Sequence, residues 1–155
     1  TSCSVWQTSR RWCMNHLRII PVTNEELVYS LCAVTEELLD APLLPETICE
    51  DISNDFEYFL LSYDYTFAGF SKIIESDNLL HLDTIHIHED FRGLKIFSSL
   101  LKNYVELCRL RKLSKIILTC DKQNRNAMDC FKHLGFQETH KDVSVSPSAI
   151  MELSI

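Results

Sequence analysis

Hydrophobic and polar positions after residue 15 follow first the spacing of a strand and then that of a helix. Residues 16–20 have strand character and stop at Pro21. Thr23 followed by Glu26 is a capping-box pattern, which predicts a helix from there to about Leu39. The apolar residues predicted to form its buried face recur three or four positions apart: Leu27, Leu31, Val34 and Leu38.

The next part of the chain predicts a short helix and then strands. The helix opens at residues 44–48, where an early proline occupies a first-turn position. From Phe56 the pattern changes to the two-residue period of strands. Residues 56–74 then alternate as an antiparallel pair of strands, and residues 79–87 form a third. Strict alternation along this third strand places Asp83 on one side of the sheet and Thr84 on the other.

The last part of the chain alternates helices with strands. Its predicted elements are a helix after Gly93 to about Leu110, an apolar strand over 115–120, a helix over 127–133 closed by Gly135, and a final strand over 149–155. The complete order predicts an α/β fold with a sheet of mixed strand directions. A strand–helix–strand unit lies at its centre.

Length and composition fit one domain. The chain has 155 residues, of which 46% are hydrophobic, enough for one core but not for two ordinary domains. We assign residues 16–155 to this domain. Residues 1–15 contain two tryptophans but have no clear period, and we interpret them as an N-terminal appendage.

Charge and cysteine content narrow the function classes. The net charge of −7 argues against a general nucleic-acid-binding or anionic membrane surface, so an anionic small molecule would need a local basic pocket. The seven cysteines are an odd number without a Cys-x-x-Cys pair, which predicts neither a disulfide framework nor a zinc site. Reduced thiols indicate a cytosolic or nuclear compartment, and no apolar run is long enough to span a bilayer, so we predict a cytoplasmic protein.

One stretch joins the two patterns and is a candidate anion site. From Ile85 to Leu101 an apolar strand passes through a short turn into an amphipathic helix. A helix N-terminus presents unpaired N–H groups and the positive end of its dipole, so its backbone can hold a phosphate. Arg92 adds a cation there, and Gly93 adds a backbone position without a Cβ. An ordinary strand-to-helix turn explains the same residues equally well, so both interpretations stay open.

Two motifs in this setting resemble those of the GCN5-related N-acetyltransferase (GNAT) superfamily. Arg92-Gly93 opens a helix as the R/Q-x-x-G-x-G/A signature does, and Asn124-x-x-Ala127 leads to Leu134-Gly135-Phe136. The resemblance covers the chain from about Leu17 onwards. It implies the GNAT fold, in which a mixed, mostly antiparallel central sheet is flanked by helices and a central β-α-β unit binds acetyl-CoA as cosubstrate.

Four further stretches are similar to glucosamine 6-phosphate N-acetyltransferase in particular. They are Val34-Thr35, Leu44-Pro45-Glu46-Thr47-Ile48, His81-Leu82-Asp83-Thr84-Ile85 and Lys115-Ile116-Ile117-Leu118-Thr119-Cys120-Asp121. The resemblance implies direct attack of the amine of glucosamine 6-phosphate on the acetyl group, a step of UDP-GlcNAc biosynthesis. It also implies a homodimer in which the C-terminal strand crosses to the partner and the sugar site is shared.

The resemblance implies a set of site residues. The pantetheine would thread between the third predicted strand and the strand that begins at Lys115, with a backbone N–H near Ile87 polarising the thioester carbonyl. The implied acetyl-CoA contacts are Ile85, Ile87, Arg92, Gly93, Leu94, Lys95, Ile96, Phe97, Ser98, Asn124 and Phe131. The implied sugar contacts are Thr35, Asp83, Thr84, Ser114 and Lys115, with Lys115 as the partner of the 6-phosphate. The implied catalytic residues are Asp83 and Thr119, and no metal is implied.

Several positions depart from the family pattern. Lys95 and Phe97 stand where the signature has glycine or alanine. Phe131 stands where the family commonly has an aromatic residue that protonates the departing thiolate, but Phe131 has no hydroxyl. Thr119 matches an aspartate of the sugar enzymes, and Ser154 matches an arginine that meets the sugar phosphate. Two alternatives follow: a protein N-terminal or polyamine N-acetyltransferase, and a non-enzymatic fold relative that binds CoA weakly or not at all.

Acetyl transfer needs a neutral amine, and the class of amine decides which base is needed. A lysine side chain with a pKa of about 10.4 requires a strong base, whereas an α-amine or sugar amine near about 8 is already partly neutral at pH 7. One carboxylate such as Asp83 therefore suits a sugar or an N-terminal amine, and His86 is a second candidate base beside the thioester. His86 and His88 share a strand face, but no third ligand is evident nearby, so no metal site is predicted.

Overall fold

The computed structural model describes residues 16–139 and 147–155, so the predicted appendage over residues 1–15 lies outside the described residues. The strands are β1 (Leu17–Pro21), β2 (Phe56–Tyr63), β3 (Thr66–Ser76), β4 (Leu79–Ile87), β5 (Lys115–Asp121), β6 (Gln137–Glu138) and β7 (Ser148–Ser154). The helices are α1 (Glu25–Leu38), α2 (Pro45–Ser53), α3 (Ile96–Arg111) and α4 (Arg125–His133), with a short 3-10 turn over Glu89–Phe91.

Over the described residues, the strands form one sheet in the order β1-β2-β3-β4-β5-β7-β6. The pairing of β4 with β5 is parallel, and the other neighbouring pairs are antiparallel. The predicted mixed, mostly antiparallel sheet with a central β4–α3–β5 unit is therefore confirmed. The crossover through α3 is what allows β4 and β5 to run side by side in the same direction.

The helices cover the sheet on its two faces and form two apolar clusters. On one face, α3 and α4 bury Leu100, Tyr104 and Met128 against the strands. On the other face, α1 and α2 bury Leu31 and Ile48 against β2 and β3. Each helix thus has one apolar face that is removed from water, which is the main stabilising term of such a layered fold.

The start of α1 differs from the prediction. Asn24 is the N-cap, and its side chain accepts a hydrogen bond from the N–H of Leu27 at 2.9 Å. The predicted capping box of Thr23 and Glu26 is therefore wrong, because Asn caps as well as Thr and lies one residue closer to the helix. The buried face is rotated accordingly and consists of Val28, Leu31, Val34 and Thr35, whereas Leu27 and Leu38 are half-buried.

The other helix boundaries agree with the prediction to within a few residues. α3 begins at Ile96 rather than directly after Gly93, since the 3-10 turn and a left-handed residue precede it. α4 begins at Arg125, and Gly135 follows its end at φ +105, as a glycine after a helix commonly does. Among the described residues, no helix is long and apolar enough to cross a membrane.

Candidate active site

Two neighbouring strands separate at the centre of the sheet. β4 and β5 are paired from Leu79↔Lys115 to His81↔Ile117. Beyond these pairs the strands diverge, and a cleft of about 300 Å³ lies between their carboxyl-terminal halves. Its lining residues come from β4, β5 and α4: Leu82, Asp83, Thr84, Ile85, His86, Leu118, Thr119 and Phe131. The structure thus brings together residues that the sequence assigned to acetyl-CoA, to the acceptor and to catalysis.

The edge of β4 that faces this cleft carries backbone donors. On the opposite edge, towards β3, the N–H of His88 donates to the carbonyl of Ala68 at 2.7 Å, and the carbonyl of His86 lies against Gly69. Backbone groups of successive residues in an antiparallel strand point to opposite edges. The N–H groups of Ile85 and Ile87 therefore point towards the cleft.

A β-bulge turns Asp83 towards the face of the sheet that carries Lys72. Lys72 pairs with Thr84, and the next residue of β3 pairs with Leu82, so Asp83 is an extra residue in β4. The Thr84 hydroxyl donates to Asp83 Oδ2 at 2.9 Å, which places both side chains on one face. The prediction that they lie on opposite sides is wrong, because strict alternation fails where two residues of one strand oppose one residue of its neighbour.

Lys72 links this carboxylate to α2. Its Nζ lies 3.1 Å from Asp51 Oδ2 and 3.8 Å from Asp83 Oδ2, and it sits 4.3 Å from the centroid of the Phe56 ring. The Tyr58 hydroxyl donates to the same Asp51 oxygen at 2.6 Å. Burial, and then this hydrogen bond, raise the pKa of Tyr58 above its ordinary value, so Tyr58 stays a neutral donor. Lys72 is held chiefly by Asp51, and Asp83, whose side chain is 44% exposed, remains open to the cleft.

Asp51, Tyr58 and Lys72 are residues that the sequence reasoning missed. They come from three elements, and only the packing of α2 on the sheet brings them together. A signal was present at Lys72, since a lysine within the apolar run of β3 needs a partner or an exit to solvent.

His86 lies between the two backbone donors on β4. Its ring is stacked on that of Phe70, with centroids 5.4 Å apart and an interplanar angle of 26°. One side of the ring is shielded by Phe70 while the residue as a whole is exposed; this partial burial, and then the positive charge of Arg92, lower the pKa of His86 below its ordinary value. The imidazole is therefore neutral at pH 7 and can accept a proton.

The start of α3 fits a diphosphate. Gly93 at φ +86 and Lys95 at φ 58 are both left-handed, and no side chain caps the helix. Its first backbone bond runs from the N–H of Ser99 to the carbonyl of Lys95 at 3.1 Å. The N–H groups of residues 96–98 precede this bond and have no acceptor within the helix, so they are available to an anion.

The replacements at Lys95 and Phe97 have different structural consequences. Lys95 adopts the backbone conformation that glycine usually supplies, and its side chain is exposed at the helix N-terminus together with Arg92 and Leu94. Phe97 turns inwards, and its ring contacts that of Phe131 edge to face at a centroid distance of 5.3 Å. Phe131 thus forms an apolar wall of the cleft without a hydroxyl group.

Three predicted contacts do not belong to this cleft. Thr35 is fully buried; its hydroxyl donates to the carbonyl of Cys32 at 2.9 Å and accepts from the N–H of Leu43 at 3.0 Å. It fixes the loop after α1 and cannot meet a substrate. Ser114 and Lys115 precede or begin β5, at the end of the strand where β4 is still paired. Because β4 and β5 are parallel, the start of β5 lies at the end of the pair opposite the cleft. Lys115 forms an ion pair with Glu152 there, at 3.1 Å.

Asn124 has a local role. Its side chain accepts from the N–H of Ala127 at 3.2 Å and caps α4, the helix that carries Phe131 into the cleft. Over the described residues, no group of three or more metal-ligating side chains occurs.

The sequence matches a profile of the acetyltransferase (GNAT) family over residues 24–136, more than half of the chain. The chain belongs to this family. The match covers the β4–α3–β5 unit and the whole of α4, the elements that form the cleft and the anion site. Acetyl-CoA is accordingly the cosubstrate of this GNAT chain, as the resemblance implied. No protein with a curated description matches the chain by sequence.

Solved structures share the GNAT fold. The PaiA N-acetyltransferase of Thermoplasma acidophilum, in complex with coenzyme A, superposes with a TM-score of 0.73 at 17% identity, over 90% of this chain and 99% of that one. The ribosomal-protein-S18-alanine N-acetyltransferase of Escherichia coli gives 0.71 at 16%, over 90% and 94%. Arabidopsis thaliana Naa50, in complex with the bisubstrate analogue CoA-Ac-MVNAL, gives 0.67 at 16%, over 90% and 99%.

Proposed function

We propose that this chain is an N-acetyltransferase whose acceptor is the free α-amine of a peptide or protein. The observation that carries the proposal is the charge of the cleft. Among its described lining residues, Asp83 is the one formally charged side chain. A single carboxylate attracts an acceptor that brings a single cationic amine.

The charge distribution favours this acceptor over the two others that the sequence suggested. Glucosamine 6-phosphate carries a phosphate as well as an amine, but Lys115, the predicted phosphate partner, starts β5 at the end away from the cleft and is paired with Glu152. A polyamine carries two or more cations, and the cleft offers one open carboxylate. A peptide N-terminus brings one amine and no obligatory second charge near it.

The chain's own residues would serve three functions. The N–H groups of Ile85 and Ile87 would donate to the acetyl carbonyl oxygen, where negative charge develops during transfer. The uncapped N–H groups of residues 96–98, with the Lys95 side chain beside them, would hold the diphosphate. Asp83 would bind and orient the amine from the face that carries Lys72. Two proteins of the same fold support the choice of acceptor: the Escherichia coli enzyme acetylates an alanine of ribosomal protein S18, and Arabidopsis thaliana Naa50 holds a bisubstrate analogue that joins CoA to a peptide.

The proposal is tested by thiol release from acetyl-CoA with a panel of acceptors. The panel contains a short peptide with a free N-terminus and an internal lysine, the same peptide with its N-terminus acetylated, spermidine, and glucosamine 6-phosphate. We expect turnover of the free peptide and little of the blocked one. Turnover confined to glucosamine 6-phosphate would support the sugar phosphate as the acceptor instead. Failure of acetyl-CoA to raise the melting temperature would support the non-enzymatic alternative.

Two variants separate the acceptor site from the rest of the surface. Asp83→Asn should raise the KM for the peptide about tenfold, because it removes one ionic contact to the amine, with acetyl-CoA binding unchanged. Lys115→Ala should leave the KM for the peptide and acetyl-CoA binding unchanged, since its ion pair with Glu152 lies at the other end of β5. Asp129→Asn, an exposed position on α4, is the matched carboxylate control.

The homodimer stays a prediction from the resemblance. It is tested by measuring the molar mass in solution by light scattering at several concentrations.

A further inference from the structure

We infer that His86, rather than Asp83, takes the proton from the attacking amine. The inference rests on the proposed function and assigns the base of that same site. It gives the two polar side chains of β4 separate roles, with Asp83 binding the amine and His86 completing its deprotonation.

The position of His86 follows from the geometry of β4. Its neighbours on both sides, Ile85 and Ile87, carry the backbone N–H groups that point into the cleft, so the imidazole emerges between the donors that hold the carbonyl oxygen. His86 pairs with Phe70 and stacks on it, which places the ring on the face of α1 and α2. Phe131 closes the cleft from α4, which packs on the other face. An amine that enters opposite Phe131 therefore meets His86 beside the reacting carbon.

Asp83 is less suited to removing the proton. Its Oδ2 accepts from the Thr84 hydroxyl at 2.9 Å and lies 3.8 Å from Lys72 Nζ, so this one oxygen already has a donor and a cation beside it, although the 44% exposed carboxylate stays open to bind an amine. The His86 ring stacks on Phe70, and among the described residues it has no hydrogen-bond or ion-pair partner. The ring nitrogens of His86 remain available to an incoming group.

The surroundings of His86 keep it unprotonated before the reaction. Partial burial lowers the pKa of His86 most, and Arg92, in the turn after β4, lowers it further by opposing a second positive charge. Asp83, the carboxylate of β4, lies three positions away. β3 presents the uncharged Phe70 next to His86 and, two residues along, Lys72, whose charge is paired with Asp51 of α2. β5 presents the uncharged Thr119 across the cleft. A neutral imidazole is the form that accepts a proton.

In the proposed step one proton moves from the amine to His86 as the acetyl group moves from sulfur to nitrogen. The amine lone pair forms the new C–N bond, and the nitrogen becomes strongly acidic as it acquires positive charge. His86 takes that proton on a free ring nitrogen while the C–S bond breaks and its electron pair leaves on sulfur. The proton then passes from the imidazolium to the thiolate or to water, which regenerates the neutral ring. Phe131 has no hydroxyl with which to supply that proton directly.

The test compares His86→Gln with the unmodified protein and with His81→Gln. Glutamine keeps a polar side chain of similar size but cannot take a proton. We expect His86→Gln to lower kcat for the peptide acceptor about 100-fold, with the thermal shift produced by acetyl-CoA unchanged. His81 lies on the same strand, where β4 is still paired with β5, so His81→Gln should keep kcat within about twofold.

The pH dependence of kcat separates a base from a packing residue. In the unmodified protein kcat should fall on the acid side with a midpoint below about 6.5, the ordinary pKa of histidine, and this limb should be absent in His86→Gln. A variant that keeps its kcat, or a loss of kcat without loss of the limb, would overturn the assignment while leaving the acetyltransferase function intact. Absence of turnover by the unmodified protein with every acceptor would overturn both.

Discussion

Gly69 on β3 lies directly against the carbonyl oxygen of His86 on β4. A Cβ placed on Gly69 would be 2.0 Å from that oxygen and 3.0 Å from the Cα of Ile87. The colliding atoms are backbone, so a side chain at this position cannot be accommodated by a rotamer change. The close approach sets the position of the end of β4, from which the N–H groups of Ile85 and Ile87 face the cleft.

Gly69→Ala should therefore destabilise the fold by about 3 kcal/mol and impair acetyl transfer, because β4 must move away from β3 to admit the methyl group. Urea unfolding and thiol release measure the two effects. Gly93→Ala is the matched control: a Cβ there meets nothing within 4 Å, although φ is +86, so we expect a loss of about 1 kcal/mol from the backbone conformation alone. Equal losses for the two variants would contradict the steric explanation.

Lys95 and Lys112 cap the two ends of α3 with the same left-handed backbone, at φ 58 each. Replacing either lysine by glycine should stabilise the protein by about 1 kcal/mol, since a Cβ is disfavoured in this conformation. Lys95→Gly should also weaken acetyl-CoA binding about fivefold, because it removes a cation from the predicted diphosphate site.

Calorimetric titration with acetyl-CoA and urea unfolding of both variants check this pair. Lys112→Gly lies at the far end of α3 and should bind acetyl-CoA as the unmodified protein does. Tighter binding by Lys95→Gly would show that backbone approach to the diphosphate matters more than the side-chain charge.

Phe131→Tyr should raise kcat about tenfold. Phe131 lines the cleft and is half-buried, so a hydroxyl added to its ring can donate a proton to the departing thiolate. Steady-state thiol release at saturating acetyl-CoA measures the change.

Phe136→Tyr is the control for this substitution, since the two rings are in contact with centroids 5.8 Å apart. Phe136 is 2% exposed, and a buried hydroxyl without a partner should cost about 2 kcal/mol and give no increase in kcat. A similar kcat for Phe131→Tyr and the unmodified protein would mean that protonation of the thiolate does not limit turnover.

Lys72→Met should destabilise the protein by about 1–2 kcal/mol, because Asp51 is then left with the Tyr58 hydroxyl as its donor in a partly buried setting. The side chains of Lys72 and Asp51 are 18% and 21% exposed, so solvent screens their ion pair only in part. Urea unfolding measures the loss. Lys132→Met removes an exposed ion pair to Glu138 of 3.9 Å and should cost less than about 0.5 kcal/mol; an equally large loss there would show that the burial of Lys72 has no special effect.

The sequence determined the elements and their order. Apolar spacing along α1, α3 and the strands needs only local periodicity, and it predicted the α/β layers, the β4–α3–β5 unit and the helix start where N–H groups are unpaired. Lys95 and Phe131 were likewise identified as departures from the family pattern by position alone.

Tertiary structure decided which side chains meet. The bulge at Asp83 depends on the register between β3 and β4, which alternation within one strand cannot reveal. It turns Asp83 towards Lys72, which in turn pairs with Asp51 of α2. Contacts of this kind join residues that are distant in sequence, so no local pattern encodes them.

The same distinction separates the predicted acceptor contacts. Asp83 and Thr119 face one cleft because β4 and β5 diverge beyond His81, whereas Lys115 is carried to the other end of the parallel pair. Thr35 was drawn into the core because the loop after α1 needs a hydrogen-bond partner for the N–H of Leu43. The sequence was enough to identify these polar residues as candidates. Strand direction and burial, which are properties of the assembled sheet, decided which of them can reach a substrate.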